Sequence, residues 1–310
     1  MNMLRKCAIC LCITFVFALS FSVVPLYAQD SDVPHGFAFN DPGNFKEYPH
    51  FHGGAGTIRY NEYWGADGYK SAQEFIRLIE LPPKSSIGEY RLTDSDEVIV
   101  VMSGHADVTV NGNTGRLVEG TMVPVKMGES LGIYNSTDEV VKVAWTASVL
   151  NKGQYNTVDL GNDLTGNRPE DMIPFKHIYY NYLIFEPSGN PSHDGLGSLV
   201  STLGIVNFDY FKTGLHTRFF VVPAGASIGY HTHVTNEENF FIFSGSGRAT
   251  VNDVTLPLKP LDCIKCGIDE THGIYNNTDE QLVMFFTNQP MPGVKNWGTV
   301  KNHGENLAGR

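Results

Sequence analysis

Cysteine is scarce in this chain, and its placement excludes more than its number. Of the five cysteines, Cys7, Cys10 and Cys12 crowd the first dozen residues, and only Cys263 and Cys266 are left for the body. A disulfide framework is therefore excluded as the source of stability. Basic side chains are also few, 22 Lys and Arg against 33 Asp and Glu for a net charge of -11. That balance argues against nucleic acid and anionic membranes as partners. No long segment carries the 3.6-residue apolar period of an amphipathic helix, which argues against a helical fold. Nor is there an apolar run of the roughly 20 residues needed to span a bilayer. The longest, from Cys7 to Phe21, follows Arg5 and Lys6 and precedes Leu26-Tyr27-Ala28 and the polar Gln29-Asp30-Ser31-Asp32. This is the pattern of a secretory signal peptide over residues 1–28, cut after Ala28. The chain is thus expected to be secreted or periplasmic, with no membrane attachment after cleavage.

What is present is a series of short β-branched and aromatic runs split by Gly, Asn and Asp, the mark of an all-β chain. The runs repeat. Ser86-Ile87-Gly88 returns 141 residues later as Ser227-Ile228-Gly229, and the same offset relates Pro82 to Pro223 and Gly104 to Gly245. It also relates Gly132-Ile133-Tyr134-Asn135 to Gly273-Ile274-Tyr275-Asn276, and His52 to His193. One register held over so many turns predicts two copies of one fold, two tandem jelly-roll barrels. The expected division is an N-terminal arm over 29–50, a first barrel over 51–150, a linker over 151–190, a second barrel over 191–292 and a tail over 293–310. The aromatic-rich end of the linker, FKHIYYNYLIFEP, is expected to pack as an added strand. Cys263 and Cys266, three apart in an alternating run, read as two half-buried core thiols on opposite strand faces.

Chemistry gathers between Gly229 and Gly245, in GYHTHVTNEENFFIFSG. His231 and His233 are two apart, so in a strand their imidazoles share a face, and Glu238 follows at the head of an apolar run. A fourth group, His272, follows in CGIDETHGIYN. Three imidazoles and a carboxylate suit a first-row transition metal (Fe, Mn, Ni, Cu or Zn) rather than Ca or Mg.

The spacing G-x-H-x-H-x4-E-x6-G, followed by G-x4-H-x3-N, resembles the two motifs of the cupins, and the repeat makes the whole chain resemble a bicupin, two tandem double-stranded β-helix barrels. The second motif departs from the family: Cys266 stands where a proline is usual, and four residues rather than two separate Gly267 from His272. At the 141-residue offset, Tyr90, Leu92 and Leu131 take the places of His231, His233 and His272, and only Glu97 matches Glu238. One transition-metal ion per chain (Fe, Mn, Ni or Cu) is expected, held by His231, His233, Glu238 and His272 in the C-terminal barrel; the N-terminal barrel is structural or shapes the ligand.

On strand parity, Phe240 and Ile242 share the face of Glu238, and Asn276 that of His272. With Phe219, on the Thr217, Phe219 and Val221 face of the preceding strand, they are the expected substrate-binding residues. His216 and Arg218 have the other parity and are assigned to solvent or the partner barrel. His193, repeated as His52 in a barrel without a predicted metal, reads as structural. The resemblance implies a metal-dependent dioxygenase similar in layout to the bicupin flavonol dioxygenases, acting on a small organic, phenolic or enolisable molecule with Glu238 as proton acceptor. Two other readings stand beside it. One is an oxalate-decarboxylase-like lyase or a sugar or uronate isomerase; the decarboxylase chemistry calls for a second acid or base near the metal, with Glu270 nearest in sequence, and for a cation. The other is a non-catalytic bicupin that binds a small ligand or carbohydrate. The sequence leaves a homo-oligomer open.

Overall fold

The computed structural model describes residues 33–180, 191–201, 204–296 and 298–310. The leader assigned to residues 1–28 lies outside the described residues, as does most of the aromatic end of the linker.

The alternating runs fold as strands, and the repeat is literal. Ser86–Leu92, Ser95–Ser103, Ser130–Tyr134 and Val141–Val149 recur as Ser227–His233, Asn236–Ser244, Thr271–Tyr275 and Leu282–Pro290. Each repeat closes two facing sheets into a barrel. In the N-terminal barrel a seven-stranded sheet centred on Ser95–Ser103 and Val141–Val149 faces a five-stranded sheet containing Ser86–Leu92 and Ser130–Tyr134. In the C-terminal barrel a six-stranded sheet centred on Asn236–Ser244 and Leu282–Pro290 faces a five-stranded sheet containing Ser227–His233 and Thr271–Tyr275. Because side chains alternate along each strand, the large sheets are apolar on two faces. One lines its own barrel; the other packs against the partner barrel.

That second face forms an apolar cluster between the barrels, with Leu78, Val98, Val100 and Ala144 from one side and Phe219, Val221, Phe241 and Phe285 from the other. Each fully buried phenylalanine there contributes about 1.5–3 kcal/mol of transfer free energy. The polar contacts around it obey the same offset. Asp96 Oδ2 accepts the Thr213 N–H at 2.8 Å, and its counterpart Glu237 accepts the Ser71 N–H at 2.7 Å. Ser148 Oγ donates to Gln289 Oε1 at 2.7 Å, so two positions equivalent in the repeat touch each other, as they do on the axis of an isologous dimer.

The connecting segments cross over. Phe37–Ala38, in the segment expected as an arm, adds a strand to the C-terminal barrel beside Cys263–Cys266, while Ile178–Tyr179 of the linker adds one to the N-terminal barrel beside Thr121–Val125. Residues 34–310 accordingly form one compact unit. Cys263 and Cys266 are free and fully buried rather than half-buried. The strand is covered on both faces, so opposite parity does not expose either thiol.

Candidate metal centre

The strand Ser227–His233 lies between Thr271–Tyr275 on one side and Val300–Asn302 on the other. In this register His231 sits opposite His272. On the facing sheet, Glu238 leads the inward side of Asn236–Ser244, paired with Asn288. The ligand atoms of His231, His233, Glu238 and His272 consequently converge, all within 4.8 Å of one another and all buried. His231 Nε2 is 3.0 Å from His233 Nε2, and Glu238 Oε2 is 3.3 Å from His233 Nε2 and 3.2 Å from His272 Nε2. Ligands about 2.1 Å from a shared ion stand about 3.0 Å apart at right angles and about 4.2 Å apart when opposed. The three separations of 3.0, 3.3 and 3.2 Å therefore suit donors set near right angles about one ion.

The surroundings prepare each donor. His231 Nδ1 donates to Gly229 O at 2.8 Å, leaving Nε2 as the bare nitrogen. Asn236 lies 3.0 Å from His233 Nδ1; a half-turn of its amide presents Oδ1, which is buried and otherwise without a partner among the described residues, as the acceptor that frees His233 Nε2. Asn288 Nδ2 donates to Glu238 Oε1 at 2.8 Å. Burial, reinforced by His272 and His193, pushes the His231 pKa down. Burial opposes charge on His233 and Glu238 too, but their mutual attraction prevails, raising the imidazole and holding the carboxyl well below the usual range. The set is an anion among nitrogen lone pairs, arranged for a cation.

The longer turn before His272 is closed locally. Glu270 Oε2 accepts the Gly267 N–H at 2.6 Å, and Asp269 N donates to His233 O at 2.8 Å. Glu270 also holds His35 Nε2 at 2.5 Å, so it shapes the turn and does not reach the cavity.

A cavity of about 370 Å³ opens over the centre, lined by His231 and Glu238 with His193, Arg218, Phe220, Phe240 and Phe286 among others. Of the expected substrate residues, Phe240 lines it, its ring 6.2 Å from that of His272. Ile242 is buried in the barrel and is not in the lining. Phe219 is a correction: it lies in the cluster between the barrels, and Arg218 and Phe220 take the inward face instead. The reason is register. Arg218 pairs with Phe286, which pairs with Phe240, so the even-numbered residues of all three strands point inward. His216 shares that parity and is buried, with its ring against Phe208 at 3.9 Å; burial, then Arg218, brings its pKa down to about 4. Asn276 also stands apart from the cavity. Its Nδ2 donates to Val222 O and Glu280 O at 2.8 and 2.6 Å, a turn clamp that Asn135 repeats in the other barrel.

Sequence reasoning missed Arg218 as a cavity residue. Its guanidinium carbon lies 4.5 Å from the centroid of the Phe220 ring and 5.5 Å from that of Phe286. The signal lay in the repeat, since Arg77 stands at the equivalent position.

Fold and site together define a two-barrel, all-β protein with a three-histidine, one-glutamate centre in its second barrel. Residues 218–288 match the family of the cupin domain. Among solved structures, the chain resembles an oxalate decarboxylase of Bacillus subtilis with a TM-score of 0.57 and 15% identity, over 84% of this chain and 78% of that one. It also resembles a salicylate 1,2-dioxygenase from Pseudaminobacter salicylatoxidans, with a TM-score of 0.57 and 16% identity over 77% of each chain. No curated protein sequence matches. The second barrel thus carries a cupin domain, and the chain as a whole has the fold of a bicupin.

Proposed function

We propose that the protein is an exported, transition-metal-dependent dioxygenase acting on a small organic substrate with an anionic or oxygen-rich head and a flat apolar body. The observation that carries this reading is that the four-donor cluster meets, through His231 and Glu238, a cavity that also holds a guanidinium and three phenyl rings. A first-row metal held by His231, His233, Glu238 and His272 supplies Lewis acidity toward oxygen donors and access to one-electron chemistry. The chain does the rest. Arg218 orients the head group; Phe220, Phe240 and Phe286 pack on the body and exclude water. Glu238 is the one carboxylate among the described lining residues, and so the group placed to accept a proton from a hydroxyl or enolisable carbon.

Arg218 would equally hold a small diacid, which supports a decarboxylating lyase as the second reading. Two features favour the oxygenase. The described lining contains no acid beside Glu238, and three phenyl rings offer far more apolar surface than a small diacid uses. The test is elemental analysis of the purified protein, expected to give one ion per chain, followed by oxygen-uptake assays on phenolic and diketone substrates with and without a carboxylate. Arg218→Gln should raise KM about tenfold or more for the carboxylates alone, the usual scale of losing a charged hydrogen bond. Release of CO2 from oxalate without oxygen uptake would favour the lyase, and binding with no turnover at all would favour a ligand carrier. Export is part of the proposal: a mature protein that keeps residues 1–28 by mass spectrometry defeats it.

A further inference from the structure

His193 was expected to be structural because His52 repeats it, and the structure shows what is repeated. Each residue takes a left-handed backbone, φ 51° and 52°, inside a short turn, Ser192–Asp194 and Phe51–Gly53. Each lays its ring flat on the residue at the same place in the following barrel strand. His193 stacks on His231 with centroids 3.7 Å apart and planes 10° apart, and His52 stacks on Tyr90 at 4.1 Å and 19°. Each ring is tethered through Nδ1 to an oxygen on the strand alongside, Asn302 Oδ1 at 3.1 Å and Asp159 Oδ1 at 2.7 Å. The turn approaches this closely because position 229 is glycine; a Cβ there would collide with His193 O and Gly195 N. Gly88 stands in the same relation to His52 O and Gly54 N. In one barrel the pressed ring belongs to a tyrosine, in the other to a metal-ligating imidazole.

We infer that His193, oriented by Asn302, is a positioning residue for the metal centre: it sets the ring plane of His231 so that Nε2 stays aimed at the ion. The hydrogen bond from His231 Nδ1 to Gly229 O defines which nitrogen ligates, and the stack restricts rotation about that bond. Groups that orient a metal ligand without touching the metal govern its affinity. The inference rests on the metal reading above and extends it to Val300–Asn302, a strand beyond the matched cupin domain at 218–288.

The test uses the full-length protein with Co(II), following the dissociation constant by competition with a chromophoric chelator and the visible ligand-field band. His193→Asn removes the ring while keeping a residue that tolerates left-handed backbone; Asn302→Ala removes only the tether; His52→Asn makes the same lesion in the other barrel. His193→Asn should weaken Co(II) binding about tenfold and shift the band, and Asn302→Ala should weaken it about threefold, on the scale of losing a ligand-orienting partner. His52→Asn should cost similar thermal stability and change neither readout. If His193→Asn lowers Tm as His52→Asn does but keeps the wild-type affinity within twofold and the wild-type band, the stack is packing only and the inference falls. Should that variant not fold, unchanged affinity in Asn302→Ala overturns it equally. A wild type that takes up no Co(II) defeats the metal reading itself, and this role with it.

Discussion

Where the C-terminal barrel has His231, the N-terminal barrel has Tyr90, whose hydroxyl donates to Glu97 Oε2 at 2.6 Å. Trp145 Nε1 donates to the same oxygen at 2.9 Å, and Tyr155 to Oε1 at 2.6 Å. The carboxylate kept at equivalent positions in the two barrels thus has opposite surroundings. Glu238 stands among imidazoles and is held ionised; Glu97 is fully buried, and burial outweighs its three donors and Arg77 to lift its pKa to about 7. Arg77, the counterpart of Arg218, is paired to Glu62 through Nε at 2.8 Å and lies over the Phe75 ring at 3.7 Å. One scaffold holds a cavity over a cluster of three histidines and a glutamate in one barrel and a plug of aromatic side chains in the other. What decides between them is a handful of inward positions, not the fold.

The largest effect that would sharpen this contrast is loss of metal. Changing His231→Ala with His233→Ala should take elemental analysis from one ion per chain to none, with affinity down about a thousandfold or more as two donors go. Two ions per wild-type chain, or one that survives the double change, would break the contrast. Next is Glu238→Gln, which keeps an oxygen donor but loses charge and basicity. Metal should bind more weakly yet measurably, and turnover should fall about a hundredfold, the scale of a lost general base; near-normal turnover with metal retained would reduce Glu238 to a ligand. The third test concerns Glu97. Its folded pKa of about 7 lies above the ordinary carboxyl value of 4.5, so the folded state binds the extra proton and stability is full below about pH 4.5. That contribution is lost as pH rises through about 7, on the order of 3 kcal/mol in all. Glu97→Gln, neutral throughout, should flatten the decline in urea unfolding curves between pH 5 and 8; an unchanged slope would show that another group carries it.

Much of this was legible in the residues. The repeat at a constant offset gave the two barrels, and the HxH pair, Glu238 and His272 named the converging donors. What could not be read was which parity of His216–Val222 faces inward. Alternation within a strand is local, but its phase relative to neighbouring strands depends on pairing, and pairing of Arg218 with Phe286 is a contact between residues far apart in sequence. That one unread phase exchanged Phe219 for Arg218. The crossing of Phe37–Ala38 into the far barrel, and the docking of Val300–Asn302 beside the histidine strand, were hidden for the same reason: short segments of weak pattern acquire their place from the edge they complete.

The contact between Ser148 and Gln289 carries a consequence for how this protein could change. In a dimer of identical chains every substitution is made twice, so a histidine lost from one metal site is lost from both. Joining the halves in one chain lifts that constraint while keeping their interface, and each half becomes free to be edited alone. The tyrosine and leucines at positions 90, 92 and 131 are the kind of edit that such independence permits. The serine facing a glutamine, rather than its own copy, shows that independence reaching the axis itself.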